Sequence, residues 1–223
     1  MSDYSLYLVL DPDLTAGRPL TQVAREALEG GVTMMQLRYK GNKTREFLEL
    51  AHQIRQICLS FRVPLIVNDR LDVALAVGAE GAHVGQEDLP AWEARQILGR
   101  DRILGVSATS LREAEEAEEI GASYVGLGTI FSTSSKADAC RPLGVEAIDE
   151  VSQALRIPVV AIGGINLQNA EEVIRKGAAG VAVISAILHA KDSKEAARQL
   201  KAAIQRGRIS ASRSHSLDQE EVK

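Results

Sequence analysis

Short runs of aliphatic and β-branched residues alternate along this chain with longer stretches in which apolar positions recur every three or four residues. The short runs centre on Tyr7-Leu8-Val9, Met35-Gln36-Leu37, Leu65-Ile66-Val67 and Ala82-His83-Val84, then on Ile103-Leu104-Gly105, Tyr124-Val125-Gly126, Val159-Val160-Ala161 and Val181-Ala182-Val183. Runs of this length and composition predict buried strands. Between them the spacing predicts amphipathic helices. Phe47, Leu50, Ile54 and Ile57 share one stripe, and Ala196, Leu200, Ala203 and Ile204 share another. Several helices are expected to end in a glycine-bearing turn before the next strand, as in Glu29-Gly30-Gly31-Val32, Ile120-Gly121-Ala122 and Lys176-Gly177-Ala178.

Eight strand–helix units require a parallel sheet, because each crossover returns the chain to run in the same direction. Eight is also the number that closes a barrel. The fold class expected is therefore α/β, a single (β/α)8 TIM barrel over residues 1–207. An open doubly wound sheet competes, but the first strand lacks the GxGxxG turn of a dinucleotide fold. Residues 208–223 are polar, serine-rich and unpatterned, and are expected to form a disordered tail.

Composition narrows the function. A chain of 223 residues suits one well-buried domain, and an aromatic content of 4% means that its core must be aliphatic. A net charge of −4 leaves no broad basic surface for nucleic acid or an anionic membrane. No apolar run approaches the ~20 residues of a membrane span. The first residues lack a signal peptide's basic start and apolar stretch, so a cytoplasmic location is expected. Cys58 and Cys140 lie far apart, with no metal-ligand spacing, and are expected as thiols.

Barrel enzymes carry their chemistry just past the strands. After the second strand, alternation turns Gln36, Arg38 and Lys40 to one side, making a receptor for a phosphorylated ligand; solvated loop charges would read the same way. Asn68-Asp69 and Gly85-Gln86-Glu87-Asp88 follow the third and fourth strands. Such residues also serve as turns and caps. Together, however, Asp69 and Asp88 suit Mg²⁺, which takes one or two carboxylates, waters and phosphate oxygens; Glu87 reads as a helix-start acid. The hydroxyl-rich loop after the sixth strand, residues 129–143, holds Lys136 and reads as a mobile lid or a linker. Gly163-Gly164 and Ser185 follow the seventh and eighth strands, where barrels commonly cup a phosphate; packing alone would also favour the glycines. The four histidines form no catalytic cluster, and only His83 could face the pocket, where a structural role is equally consistent.

In order, the motifs QLRYK (36–40), VND (67–69), HVGQED (83–88), GVSA (105–108), YVGLGTIF (124–131), TSSK (133–136), AIGGI (161–165) and VISAI (183–187) resemble those of thiamine-phosphate synthases, over about residues 7–203. The resemblance implies a barrel enzyme that condenses 4-amino-2-methyl-5-(diphosphooxymethyl)pyrimidine with 4-methyl-5-(2-phosphoethyl)thiazole, releasing diphosphate. By motif position it implies that Gln36, Leu37, Arg38, Tyr39, Lys40, Asn68, Ser107 and Lys136 hold the pyrimidine diphosphate, with Lys136, Ser107 and Arg38 catalytic. Asp69 and Asp88 would bind Mg²⁺. Thr133, Ser134, Ser135, Gly164, Ile184 and Ser185 would hold the thiazole phosphate. Thr129 and Ser132 stand where the family usually has proline, Ser135 where it has threonine, and Thr109 where histidine is frequent. A thiazole tautomerase of the same barrel family and a non-catalytic barrel that binds thiamine intermediates are the rival expectations. Partners other than small phosphorylated substrates are not implied, and the oligomeric state is open.

Overall fold

A computed structural model describes residues 2–133 and 141–220, with side chains as far as Ser212 in the second stretch. All eight expected strands form: β1 (Leu6–Leu10), β2 (Met34–Leu37), β3 (Leu65–Asn68), β4 (Gly81–Val84), β5 (Ile103–Ala108), β6 (Tyr124–Leu127), β7 (Val159–Ile162) and β8 (Gly180–Val183). Each pairs in parallel with the next, and β8 pairs back to β1 through Leu6–Val181 and Leu8–Val183, closing the barrel. The helices that cross between strands are α1 (Leu20–Glu29), α2 (Thr44–Phe61), α3 (Leu71–Val77), α4 (Ala91–Leu98), α5 (Leu111–Ile120), α6 (Glu146–Ala154) and α7 (Ala170–Arg175). Two more, α8 (Ser185–Leu188) and α9 (Ser193–Glu220), follow the last strand.

The strands are buried on both faces, and the two faces meet different neighbours. Residues such as Leu8, Met35, Leu65 and Val181 point outward into an aliphatic layer shared with the helices. Phe47, Ile54 and Ile57 supply it from α2, and Ala197, Leu200, Ala203 and Ile204 from α9; Leu50 and Ala196 lie at the margins of their stripes. Tyr7, Met34, Ile66, Tyr124, Val160 and Ala182 point inward and form a separate, smaller cluster within the barrel. Gly105 of β5 also faces inward: a Cβ there would lie 2.2 Å from the Tyr124 ring and 2.4 Å from His83 Nδ1. Two rings from neighbouring strands fill the space that a β5 side chain would occupy. Helix ends behave as their residues predict. Ser110 accepts from the Glu113 amide at the start of α5, and Gly121 closes that helix at φ 87°, a region open to glycine at little cost.

The boundary expected at Gly207 falls inside a helix. Helix α9 runs on to Glu220, with Arg208 Nη2 donating to the Ala179 carbonyl at 2.9 Å. Gly207 marks a close approach instead, because a Cβ at that position would lie 2.7 Å from the Glu171 carbonyl of α7. Docking of the earlier turns supplies the helix nucleus. Each polar residue that follows then gains a hydrogen bond at little further cost.

Candidate functional site

The C-terminal ends of the strands surround a cavity of about 340 Å³. Along the arc from β2 to β5, side chains line it. Arg38 follows β2, its Nη1 2.6 Å from Asp11 Oδ2, and both side chains of this pair are almost wholly shielded from solvent. Burial is tolerated because each charge is paired. Asn68 ends β3, and Asp69 next to it holds a left-handed backbone, φ 61°. Aspartate is among the few residues that visit this region, and such outliers cluster at functional sites. After β4, Asp88 Oδ2 accepts from the Gly85 amide at 2.8 Å, which ties the carboxylate into its turn. Gln86 Nε2 donates to the Ser107 carbonyl at 2.6 Å, and Ser107 Oγ lies 2.8 Å from His83 Nε2.

From β6 to β8, the wall is made largely by backbone. The chain beyond β6 pairs with the end of β7 through Ile130 N to Ile162 O and Phe131 N to Gly163 O. It is also pinned by its return, where the Leu143 and Gly144 amides donate to the Thr129 and Ile130 carbonyls. Gly164 has φ 64°, and a Cβ there would lie 2.6 Å from the Ser132 carbonyl. Glycine is therefore needed at 164 for packing and conformation, apart from any ligand. Ile184 and Ser185, at the start of α8, complete the wall.

Of the sequence-derived candidates, Arg38, Asn68, Asp69, Asp88, Ser107, Thr133, Gly164, Ile184 and Ser185 meet at this one cavity. Gln36 lines a smaller pocket of about 30 Å³ that shares Arg38, Asn68, His83 and Ser107 with the larger one. The other three residues of the second-strand motif do not line either pocket. Leu37 points into the outer core, Tyr39 stacks on Phe47 with ring centroids 5.0 Å apart, and Lys40 is exposed. Strand β2 ends at Leu37, so the alternation that aimed Lys40 inward stops at Arg38. Ser134, Ser135 and Lys136, with most of the expected lid, lie outside the described residues. Glu87 is not a helix-start acid: it lines the cavity, and α4 begins after Pro90.

Sequence reasoning missed Asp11, although an acid directly after the first strand was a usable signal. It also left open His83, which does line the cavity, and passed over Tyr7 and Tyr124, whose hydroxyls lie 2.7 Å apart inside the barrel. Burial pushes both phenols above their ordinary pKa, so both stay protonated.

Among the described residues, no group of three or more His, Cys, Asp or Glu could hold a metal unaided. Two carboxylates at one mouth form a donor set that fits Mg²⁺ completed by water and phosphate oxygens, and does not fit a closed protein cage.

A sequence profile of the family described as thiamine monophosphate synthase matches residues 6–187, which span every strand of the barrel. The chain belongs to that family. A thiamine-phosphate synthase of Moorella thermoacetica is 50% identical over 208 residues, covering 93% of this chain and 99% of its own length. One from Clostridium novyi is 44% identical, covering 89% and 97%. The solved structure of a thiamine phosphate pyrophosphorylase from Pyrococcus furiosus superposes with a TM-score of 0.85 at 40% identity, over 92% of this chain and 98% of that one. An orotidine 5'-phosphate decarboxylase from Pyrococcus horikoshii, 18% identical with a TM-score of 0.67, shares the fold alone. Within the thiamine monophosphate synthase family, then, this chain presents a mouth with a paired arginine, three carboxylates and a glycine-bearing wall.

Proposed function

We propose that the chain joins 4-amino-2-methyl-5-(diphosphooxymethyl)pyrimidine to 4-methyl-5-(2-phosphoethyl)thiazole, giving thiamine phosphate and diphosphate. The observation that carries this reading is the pairing, around one cavity, of a cation-and-carboxylate arc with an arc of glycines, hydroxyls and aliphatic residues. Two phosphorylated substrates need two such sites.

The C–O bond to diphosphate breaks with its electron pair leaving on the diphosphate. The pyrimidine methylene is left as a resonance-stabilised cation, and the thiazole nitrogen supplies the lone pair for the new C–N bond. No proton has to move for atoms and charge to balance. This reaction rewards charge stabilisation and positioning. Arg38 presents a guanidinium fork suited to phosphate oxygens, pre-oriented by Asp11. Asn68 and Ser107 offer hydrogen bonds from beside it, and Lys136 would add a second cation. Asp69 and Asp88 would hold Mg²⁺, which supplies positive charge against the departing diphosphate. Thr133, Ser134, Ser135, Gly164, Ile184 and Ser185 would receive the thiazole phosphate.

The tautomerase alternative is not favoured. It calls for a histidine after β5, whereas Thr109 stands there, with both its amide and its hydroxyl directed to the Glu113 carboxylate. No helix among the described residues is long and apolar enough to cross a membrane.

An assay of diphosphate release with both substrates, with and without Mg²⁺, tests the proposal. Asp69→Asn and Asp88→Asn, which keep the left-handed turn and the acceptor to the Gly85 amide, should each lower the rate roughly 100-fold or more, with unfolding midpoints near that of the parent protein. Binding of both substrates without release would favour a non-catalytic barrel. Full activity in excess chelator would overturn the metal assignment.

A further inference from the structure

Behind Ser107 the barrel interior carries a polar chain whose other members the reaction above does not use. Gln36 Nε2 donates to the Tyr7 hydroxyl at 2.9 Å, and that hydroxyl lies 2.7 Å from Tyr124 OH. Tyr124 OH lies 2.9 Å from His83 Nδ1, and His83 Nε2 lies 2.8 Å from Ser107 Oγ, at the cavity floor. Five residues from five strands thus connect the closed interior to the open mouth. Neighbouring strands leave room for them: a Cβ at Gly105 would collide with Tyr124 and His83, and one at Gly126 would lie 3.1 Å from His83 Cε1.

Such a chain has a direction. Each hydroxyl carries one proton, and a neutral imidazole carries one N–H and one lone pair. With the Gln36 amide donating, the Tyr7 proton passes its hydrogen bond to Tyr124, and Tyr124 donates to His83 Nδ1. His83 Nε2–H then donates to Ser107, which leaves the Ser107 proton free to point into the cavity. In the opposite direction Tyr124 would donate to Tyr7. The Tyr7 hydroxyl would then receive two donors, and its own proton would face neither an acceptor on Gln36 nor one on Tyr124. A buried donor without an acceptor is disfavoured.

We propose that Gln36, Tyr7, Tyr124 and His83 form a one-way hydrogen-bond chain that holds His83 as its Nε2–H tautomer and makes Ser107 a hydrogen-bond donor to the substrate. The four are positioning residues for Ser107. That the acceptor belongs to the pyrimidine diphosphate rests on the function proposed above; the tautomer of His83 does not.

The test begins with the ¹⁵N-labelled full chain, free of ligand, near neutral pH. Long-range ¹H–¹⁵N ring spectra, with the His83 signals assigned by their loss in His83→Asn, should show the Nε2–H tautomer. An Nδ1–H tautomer overturns the proposal whatever the enzyme's activity. Gln36→Glu places an acceptor at the closed end and should shift His83 toward Nδ1–H; an unchanged tautomer in a folded variant also overturns it. Kinetically, Tyr7→Phe should lower kcat about 10-fold with little change in KM, the loss of one hydrogen bond. In a Ser107→Ala background the same substitution should cost less than about 2-fold. Equal losses in both backgrounds would make Tyr7 a packing residue. Absence of diphosphate release from the parent protein would remove the proposed function and leave the tautomer result standing.

Discussion

The two arcs of the barrel mouth are built on different principles. From β2 to β5 the wall is made of functional side chains: Arg38 against Asp11, Asn68, Asp69, Gln86, Asp88 and Ser107. From β6 to β8 the backbone dominates, because extended chain beyond β6 pairs with the end of β7 and leaves no room for a Cβ at Gly164. The first arc owes its properties to side chains and not to the path of the chain, although one of them, Arg38, is also half of a buried ion pair on which stability depends. The second owes them to a path of the chain itself, so a substitution there acts on folding before it acts on binding. Chemistry and stability meet at one ion pair on the first side of the cavity and along the backbone on the other.

Three substitutions probe this contrast. The largest effect should come from Arg38→Ala, which removes a cation from the cavity and strands the buried Asp11 carboxylate. Loss of one partner of a buried pair costs about 3–5 kcal/mol. Urea unfolding should show it, and Asp11→Asn in the same chain should restore part of the loss; no restoration would mean that the pair does not explain the cost. Gly164→Ala should come next, at about 2 kcal/mol, since alanine must hold φ 64° and press on the Ser132 carbonyl. The melting temperature should fall by about 4–8 °C. A variant of normal stability that has lost its affinity for the thiazole phosphate would break the contrast, because the glycine would then be serving the ligand alone. Smallest should be Ser185→Ala, one hydrogen bond to a charged phosphate worth about 1.5 kcal/mol, or roughly a tenfold weaker Kd for the thiazole phosphate by calorimetry. A loss as large as that of Arg38→Ala would place side-chain chemistry on both arcs.

The same contrast explains what could be read from the sequence. Strands announce themselves by local composition, and all eight runs stand where the aliphatic clusters put them. Asp69 and Asp88 follow their strands closely enough for position to aim them at the mouth, whereas Ser107, inside β5, was reached only through the family resemblance. Lys40 fails because alternation ends with the strand, and no local signal marks Leu37 as the last residue of β2. Asp11 was missed because its partner, Arg38, is 27 residues away and comes near only when β1 and β2 pair. Residues chosen by their neighbours along the chain are legible, and those chosen by neighbours across space are not.

Closure of the barrel also has a consequence for the order in which the chain is made. Strand β1 meets β2 early, but its other edge waits for Val181 to Val183 of β8. The ion pairs Lys194–Glu29 and Lys201–Asp3, which tie α9 to the first residues, wait longer still. Until β8 is made, any sheet built on β1 has one edge of that strand without its partner, and a bare edge is a template for another chain. The interval before β8 leaves the ribosome is when this polypeptide is most exposed to pairing with its own copies.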